Sequence, residues 1–216
     1  MAYDHEEQEQ LATLKAWWKQ YGNMVIWVLI LVLGAYAAWT GWQSYQRNQT
    51  VQAAQLYEQL QKAAENNDHE RVQRAAGDIR DKFGSTAYAQ MAALAAAKAA
   101  FEKEDMAGAK QHLQWLADNG KDEIYRAIAR LRLAGILYDE KAYDEGLKLL
   151  GGEFPPAFAD VVADRKGDFL AAQGKMDEAR TAYRQALEHT AEGDPARQYI
   201  QLKLDAIGGG EANPAA

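Results

Sequence analysis

Residues 24–42 read MVIWVLILVLGAYAAWTGW, and the first sixteen, Met24 to Trp39, carry no charged or amide side chain. At about 1.5 Å per residue the nineteen reach roughly 28 Å, close to the hydrocarbon thickness of a bilayer. In lipid the backbone must satisfy its own polar groups, so such a run is stable there only as a helix. A buried core helix is usually shorter and shows a polar edge, which this run lacks. A cleaved signal peptide is the other alternative, since Ala35-Tyr36-Ala37 has the small-x-small form of a cleavage site. The acidic leader before it and bulky Trp39 and Trp42 beyond it favour an uncleaved anchor over residues 24–42.

Upstream, residues 1–23 place Asp4, Glu6, Glu7 and Glu9 ahead of a stripe at Leu11, Leu14, Trp18 and Tyr21. Spacings of three, four and three put the stripe on one helical face, with the acids where the helix dipole favours them. Lys15 and Lys19 flank Trp17 and Trp18, the composition of a helix at a membrane interface. A helix that docks on a partner's cytosolic surface is the alternative. Gly22-Asn23 is expected to break the helix before the span. Trp39 and Trp42 are the matching interface residues at its far end. Two lysines precede the span, against Arg47 alone before Lys62, so the N-terminus is expected in the cytoplasm.

Downstream, residues 43–207 are expected to form one soluble domain, and nothing breaks a helix until about Asn66-Asn67-Asp68. The chain of 216 residues holds no cysteine, so disulfides and thiolate chemistry are excluded. Its net charge is −7; with two lysines and four acids before Gln43, the remainder carries 22 − 27 = −5. A mildly acidic domain without a basic stripe argues against nucleic acid as a partner. Only four prolines and no alternating β-branched runs point to an all-α protein.

An internal repeat organises this domain. Gly174-Lys175-Met176-Asp177-Glu178-Ala179-Arg180, followed by Tyr183 and Ala186, is preceded by small residues at Ala163 and Gly167 and by Leu170. That arrangement resembles the tetratricopeptide pattern, in which small residues let the two helices of a unit approach closely. Further copies centre on Tyr143, Met106 and His69, so the equivalent positions are separated by 37, 37 and 33 residues. Four copies in register predict a tetratricopeptide-like α-solenoid of about four helix pairs, with turns at Phe83-Gly84-Ser85, Asn119-Gly120-Lys121 and Gly151-Gly152. Ser85 is expected to cap the helix that contains Tyr88. Asp194-Pro195 opens a final capping helix, with an apolar set at Tyr199, Leu202 and Ile207. Residues 208–216 are expected to be a disordered tail.

No catalytic constellation stands out. The four histidines, His5, His69, His112 and His189, are far apart, each in a polar helical or loop context. Gly-rich phosphate loops and G-x-S-x-G elbows are missing. Neither enzyme activity, nor a metal, nor a cofactor is expected. What remains is surface recognition. In such a solenoid the concave groove is lined by the first helix of each pair, one residue beyond the small packing sites. That register selects Tyr57, Leu94, Phe101, Leu131, Tyr138, Asp139, Asp164 and Asp168, aromatic anchors beside acids that suit a peptide with some positive charge. The alternative assigns Leu94 and Leu131 to the core, and Phe101 and Tyr138 to the seam between repeats.

Trp39-Thr40-Gly41-Trp42-Gln43-Ser44-Tyr45, Ala163-Asp164-Arg165-Lys166-Gly167-Asp168 and Gly174–Arg180, in this order, resemble the YfgM family, ancillary subunits of the bacterial Sec translocon. The resemblance implies a single-pass inner-membrane protein with a periplasmic tetratricopeptide-like domain. It also implies association with the SecYEG channel and with a membrane-anchored periplasmic chaperone resembling a prolyl isomerase, and a route for emerging secretory proteins to periplasmic chaperones. Alternatives are a tether for a cytoplasmic response regulator in envelope-stress signalling and a scaffold for envelope assembly. No catalytic or binding residue is carried over from the family.

Overall fold

A computed structural model describes residues 3–209, with side chains from residue 9 onward. The side chains of Asp4, His5, Glu6 and Glu7 and the expected tail beyond Gly209 lie outside the described residues. Nine α-helices and one 3-10 turn make up the described chain: α1 Tyr3–Glu65, α2 His69–Phe83, α3 Ala87–Glu102, α4 Met106–Asn119, α5 Glu123–Asp139, α6 Tyr143–Leu150, the 3-10 turn Pro156–Phe158, α7 Ala159–Ala172, α8 Met176–His189 and α9 Pro195–Ala206. Two compact units divide the described residues, with the boundary between Val51 and Gln52.

In the first unit the helix passes through Gly22-Asn23, where a break is expected from sequence. Glycine in a helix interior costs only about 1 kcal/mol. Here the Trp18 indole lies over Gly22, 3.1 Å from where a Cβ would stand, so the glycine is a slot for the ring. The helix also runs on past Gly41, as the absence of any later breaker predicts. Its apolar stretch has no buried residue, and it is the one helix, among the described residues, long and apolar enough to cross a membrane.

The second unit is built from four helix pairs, α1's last turns with α2, then α3–α4, α5–α6 and α7–α8, closed by α9. The four positions equivalent in the repeat, His69, Met106, Tyr143 and Met176, are each the first residue of a pair's second helix. Two residues before each stands the residue that reverses the chain, Asn67, Glu104, Lys141 and Gly174, all with positive φ between 54° and 77°. The same 6→1 bond closes every turn: Asp68 N to Ala63 O at 2.9 Å, Asp105 N to Ala100 O at 2.9 Å, Ala142 N to Leu137 O at 2.8 Å and Lys175 N to Leu170 O at 2.9 Å. A left-handed conformation costs a residue with a Cβ about 1–2 kcal/mol, and only the last repeat avoids this with glycine. After allowing for the greater freedom of glycine in the unfolded chain, Lys141→Gly and Glu104→Gly are each expected to stabilise the domain by roughly 0.5 kcal/mol. In thermal melts Gly174→Ala should shift the midpoint the opposite way, and equal midpoints for all three would contradict the shared turn.

Each hydrophobic cluster joins one pair to the helix that follows it. Leu60, Ile79 and Ala92 belong to the first, Ala97, Leu116 and Leu133 to the second, Ala134, Leu150 and Phe169 to the third, and Ala179, Tyr183 and Leu204 to the fourth. Gly146 lies against the Phe169 ring and Gly167 against the Tyr183 ring, so close that a Cβ at either position would overlap the ring. These contacts are the small-against-large packing that the repeat pattern implies.

Two local expectations, for α3 and α9, differ. The cap of α3 is Thr86, whose side chain accepts from Ala89 N, while Ser85 stands one residue outside the helix. On α9 the buried residues are Ile200 and Leu204, whereas Tyr199 and Leu202 are 70% and 67% exposed. Asp194 does cap α9, accepting from Ala196 N at 2.8 Å.

His112, expected in a polar context, is 8% exposed. Its Nε2 meets Gln73 Oε1, and Gln73 Nε2 donates to Ala96 O at 3.0 Å. Burial and then the Arg80 guanidinium hold the His112 pKa below its ordinary value of 6.5. The unfolded chain therefore binds this proton first. Stability is complete above about pH 6.5 and falls as pH drops from there towards the depressed folded value. His112→Gln keeps the capacity to bond Gln73 and is expected to flatten the loss of melting temperature between about pH 7 and 5. An unchanged slope would assign the acid sensitivity to another group.

Candidate functional site

One stripe of α5 runs Tyr125, Ile128, Arg132, Gly135 and Asp139, at spacings of three, four, three and four, exposed at Arg132 and Asp139 and half-buried at the other three. Residues so spaced share one helical face. Beside it α3 presents Ala97, Lys98 and Phe101, and the two helices bound a pocket of about 280 Å³. Alanines at 92, 93, 96, 97 and 100 bury α3 closely against its neighbours. The pocket floor is apolar, made by Ala97, Leu113, Gly135 and Ile136. Phe101 forms a wall and stays 47% exposed. Lys98, Arg132 and Asp139 stand at the rim.

Lys98 also lines a wider hollow of about 670 Å³ with Tyr57, Gln61 and Lys103. It thus belongs to both hollows, which flank α3. Tyr57 packs on Tyr88 with ring centroids 5.7 Å apart. Burial first, and Tyr125 second, push the Tyr57 phenol above its ordinary pKa. The first helices of three successive pairs thus each contribute a half-buried tyrosine, Tyr57, Tyr88 and Tyr125, packed on the first two clusters.

The register expected from sequence divides on inspection. Tyr57, Phe101 and Asp139 line the hollows. Leu94 and Leu131 are half-buried against the second and third clusters. Tyr138 closes a seam, its ring 5.2 Å from Phe169 and 5.7 Å from Tyr143. Asp164 and Asp168 turn to α9, where Lys203 Nζ lies 2.8 Å from both Asp164 oxygens and 3.0 Å from Asp168 Oδ2. Tyr183 donates to Asp168 Oδ1 at 2.9 Å. One cation is thus shared by two anions. Burial raises the Asp164 pKa against the pull of Lys203, while the two carboxylates together raise that of Lys203 despite its burial. This network fastens the cap helix to α7.

Lys98, Arg132 and Gly135 lie outside the set that the register selects from sequence. Lys98 and Gly135 directly follow the small sites Ala97 and Ala134, so the same register extends to them. Arg132 emerges only from the full α5 stripe.

In the first unit Trp17, Trp18, Trp39 and Trp42 are all exposed. Trp18 and Trp39 are 39 − 18 = 21 residues apart on one helix, about 32 Å, which matches the thickness of a bilayer's hydrocarbon core.

A family profile described as a tetratricopeptide repeat-like domain matches residues 15–209, and so takes in the apolar helix as well as the repeats. The chain is 31% identical over 208 residues to a Neisseria gonorrhoeae protein named ancillary SecYEG translocon subunit, covering 96% of this chain and 100% of that one. Proteins of the same name from Haemophilus influenzae and Escherichia coli are 29% and 26% identical, over 95% and 92% of this chain and 99% and 95% of theirs.

Proposed function

The chain belongs to the YfgM family of tetratricopeptide repeat-like proteins, and on that premise we propose that it is a non-enzymatic, single-pass inner-membrane adaptor at the Sec translocon. The observation that carries this reading is the extent of the family match, from Lys15 through the apolar helix to Gly209. A likeness confined to the repeats would speak only for packing.

In this reading the helix spans the membrane, with Trp17 and Trp18 at one interface and Trp39 and Trp42 at the other. Lys15 and Lys19 hold the N-terminus in the cytoplasm, and the repeat domain is periplasmic. The span keeps that domain beside the channel exit, where tethering raises the effective concentration of weak partners to about the millimolar range. Its groove, with Phe101 and Asp139 exposed and Tyr57 half-buried, engages a membrane-anchored periplasmic chaperone of prolyl-isomerase type and so links emerging secretory proteins to it. Asp164 and Asp168 serve the fold here, since both are committed to Lys203.

Site-specific photo-crosslinking in native membranes tests the assignment, with probes at Trp39 and Phe101. SecY adducts at Trp39 and discrete chaperone adducts at Phe101 are expected. A smear of secretory clients at Phe101 would make the repeat domain itself a chaperone. Absence of SecY at Trp39, with the protein in the membrane, would remove the translocon from the reading.

A further inference from the structure

Gly135 stands in the interior of α5, where glycine costs about 1 kcal/mol relative to alanine. Gly146 and Gly167 are repaid by the rings that pack on them. A Cβ at Gly135 would meet nothing within 4 Å, as at Gly77, but Gly135 alone of the two lies in a pocket floor. At about 280 Å³ the pocket lies at the lower edge of the roughly 300–1,000 Å³ of small-molecule sites. It has room for one large apolar side chain. Along α5, Arg132 and Asp139 stand at opposite ends of the socket, seven residues and about 10 Å apart. Among the described residues neither makes an ion pair or a side-chain hydrogen bond.

We propose that this socket receives an amphipathic helix that presents one large apolar side chain at Gly135, with a carboxylate facing Arg132 and a basic group facing Asp139. The charge spacing selects the helix. In an extended peptide, side chains on one face recur about every 6.6 Å, so same-face pairs fall near 6.6 and 13 Å and miss 10 Å. In a helix, residues i, i+3 or i+4, and i+7 share a face and repeat the spacing of Arg132, Gly135 and Asp139. The polarity of the rim specifies mixed charge, since a wholly acidic or wholly basic helix would set one of its groups against a like charge. The proposal rests on the repeat domain being a recognition module and names the chemistry of its partner.

The test uses the full chain in nanodiscs and fluorescein-labelled, alanine-based peptides of about 18 residues, long enough to be helical. One peptide carries Glu, Leu and Lys at i, i+4 and i+7; two controls carry Glu-Leu-Glu and Lys-Leu-Lys at the same positions. The mixed peptide should bind about tenfold or more tightly than either control. Gly135→Leu fills the socket and removes a helix-breaking residue, so binding should fall about tenfold or more while the melting temperature holds or rises. Asp139→Lys should transfer preference to the Glu-Leu-Glu peptide. No binding of the mixed peptide, equal binding of all three, or undiminished binding by Gly135→Leu would each overturn the proposal. Co-purification with SecYEG is measured on the same variants. If it persists while the peptide result fails, the socket is wrong and the adaptor reading stands.

Discussion

Removal of residues 1–42 is expected to abolish co-purification with SecYEG and leave the repeat domain folded. All four hydrophobic clusters are made by residues from Ala53 onward. Every large apolar side chain of the Met24–Trp42 stretch is at least partly exposed, so their loss opens no cavity in the domain. The last turns of α1 remain and supply Ala53, Leu60 and Ala63 to the first cluster. Circular dichroism should show the helical content of residues 43–209 and a cooperative melt. Association, by contrast, loses the helix that, on the adaptor reading, confines the domain to the membrane plane beside the channel. Without that confinement a contact of micromolar strength, about 8 kcal/mol, is not retained through purification. Full association by the folded fragment would place the translocon contact on the repeats and end the tether reading. Rescue by an unrelated apolar span would show that the native one only tethers. If only the native span restores association, its own surface makes the contact.

How far the fold was legible follows from what sets each feature. The turn between paired helices depends on a few adjacent residues. The repeat register therefore marked four equivalent positions that prove to be the starts of α2, α4, α6 and α8, and the small site Gly167 could be read without knowing its partner. Features decided by distant chain were harder. Both Tyr199-Leu202 and Ile200-Leu204 make an apolar pair on α9. Lys203 selects the second, because its ammonium reaches Asp164 and Asp168, 39 and 35 residues away. The same pairing withdraws those two carboxylates from the groove. Gly22-Asn23 suggested a break, yet Trp18 covers the glycine and the helix continues. Lys98 and Gly135 obeyed the register already in use. Arg132 required the face of α5 to be known, and that depends on where Leu133, Ile136 and Leu137 are buried.

Phe169→Ala is expected to be the most damaging single substitution in the domain, at about 3–5 kcal/mol. Phe169 is 1% exposed and joins three helices. Its ring meets Tyr138 edge-on at 5.2 Å and Tyr143 edge-on at 6.2 Å, and it covers Gly146. Each aromatic contact adds about 0.5–1.5 kcal/mol beyond the area buried. Alanine removes all of these at once, and Gly146 has no side chain with which to refill the space. Domains are stable by only about 5–15 kcal/mol, so the loss is a large share of the total. In a solenoid each repeat contacts only its neighbours, so the damage should stay local. Hydrogen exchange should show α7, α8 and α9 losing protection while α3 and α4 keep theirs. Gly146→Ala attacks the same contact from the other side, forcing a methyl into the ring, and should cost about 1–3 kcal/mol. Combined with Phe169→Ala its added cost should nearly vanish, because the ring it collides with is gone. Strict additivity of the two would mean that Gly146 is small for some reason other than Phe169. Protection lost evenly from α2 to α9 would show a single cooperative unit in place of coupled repeats.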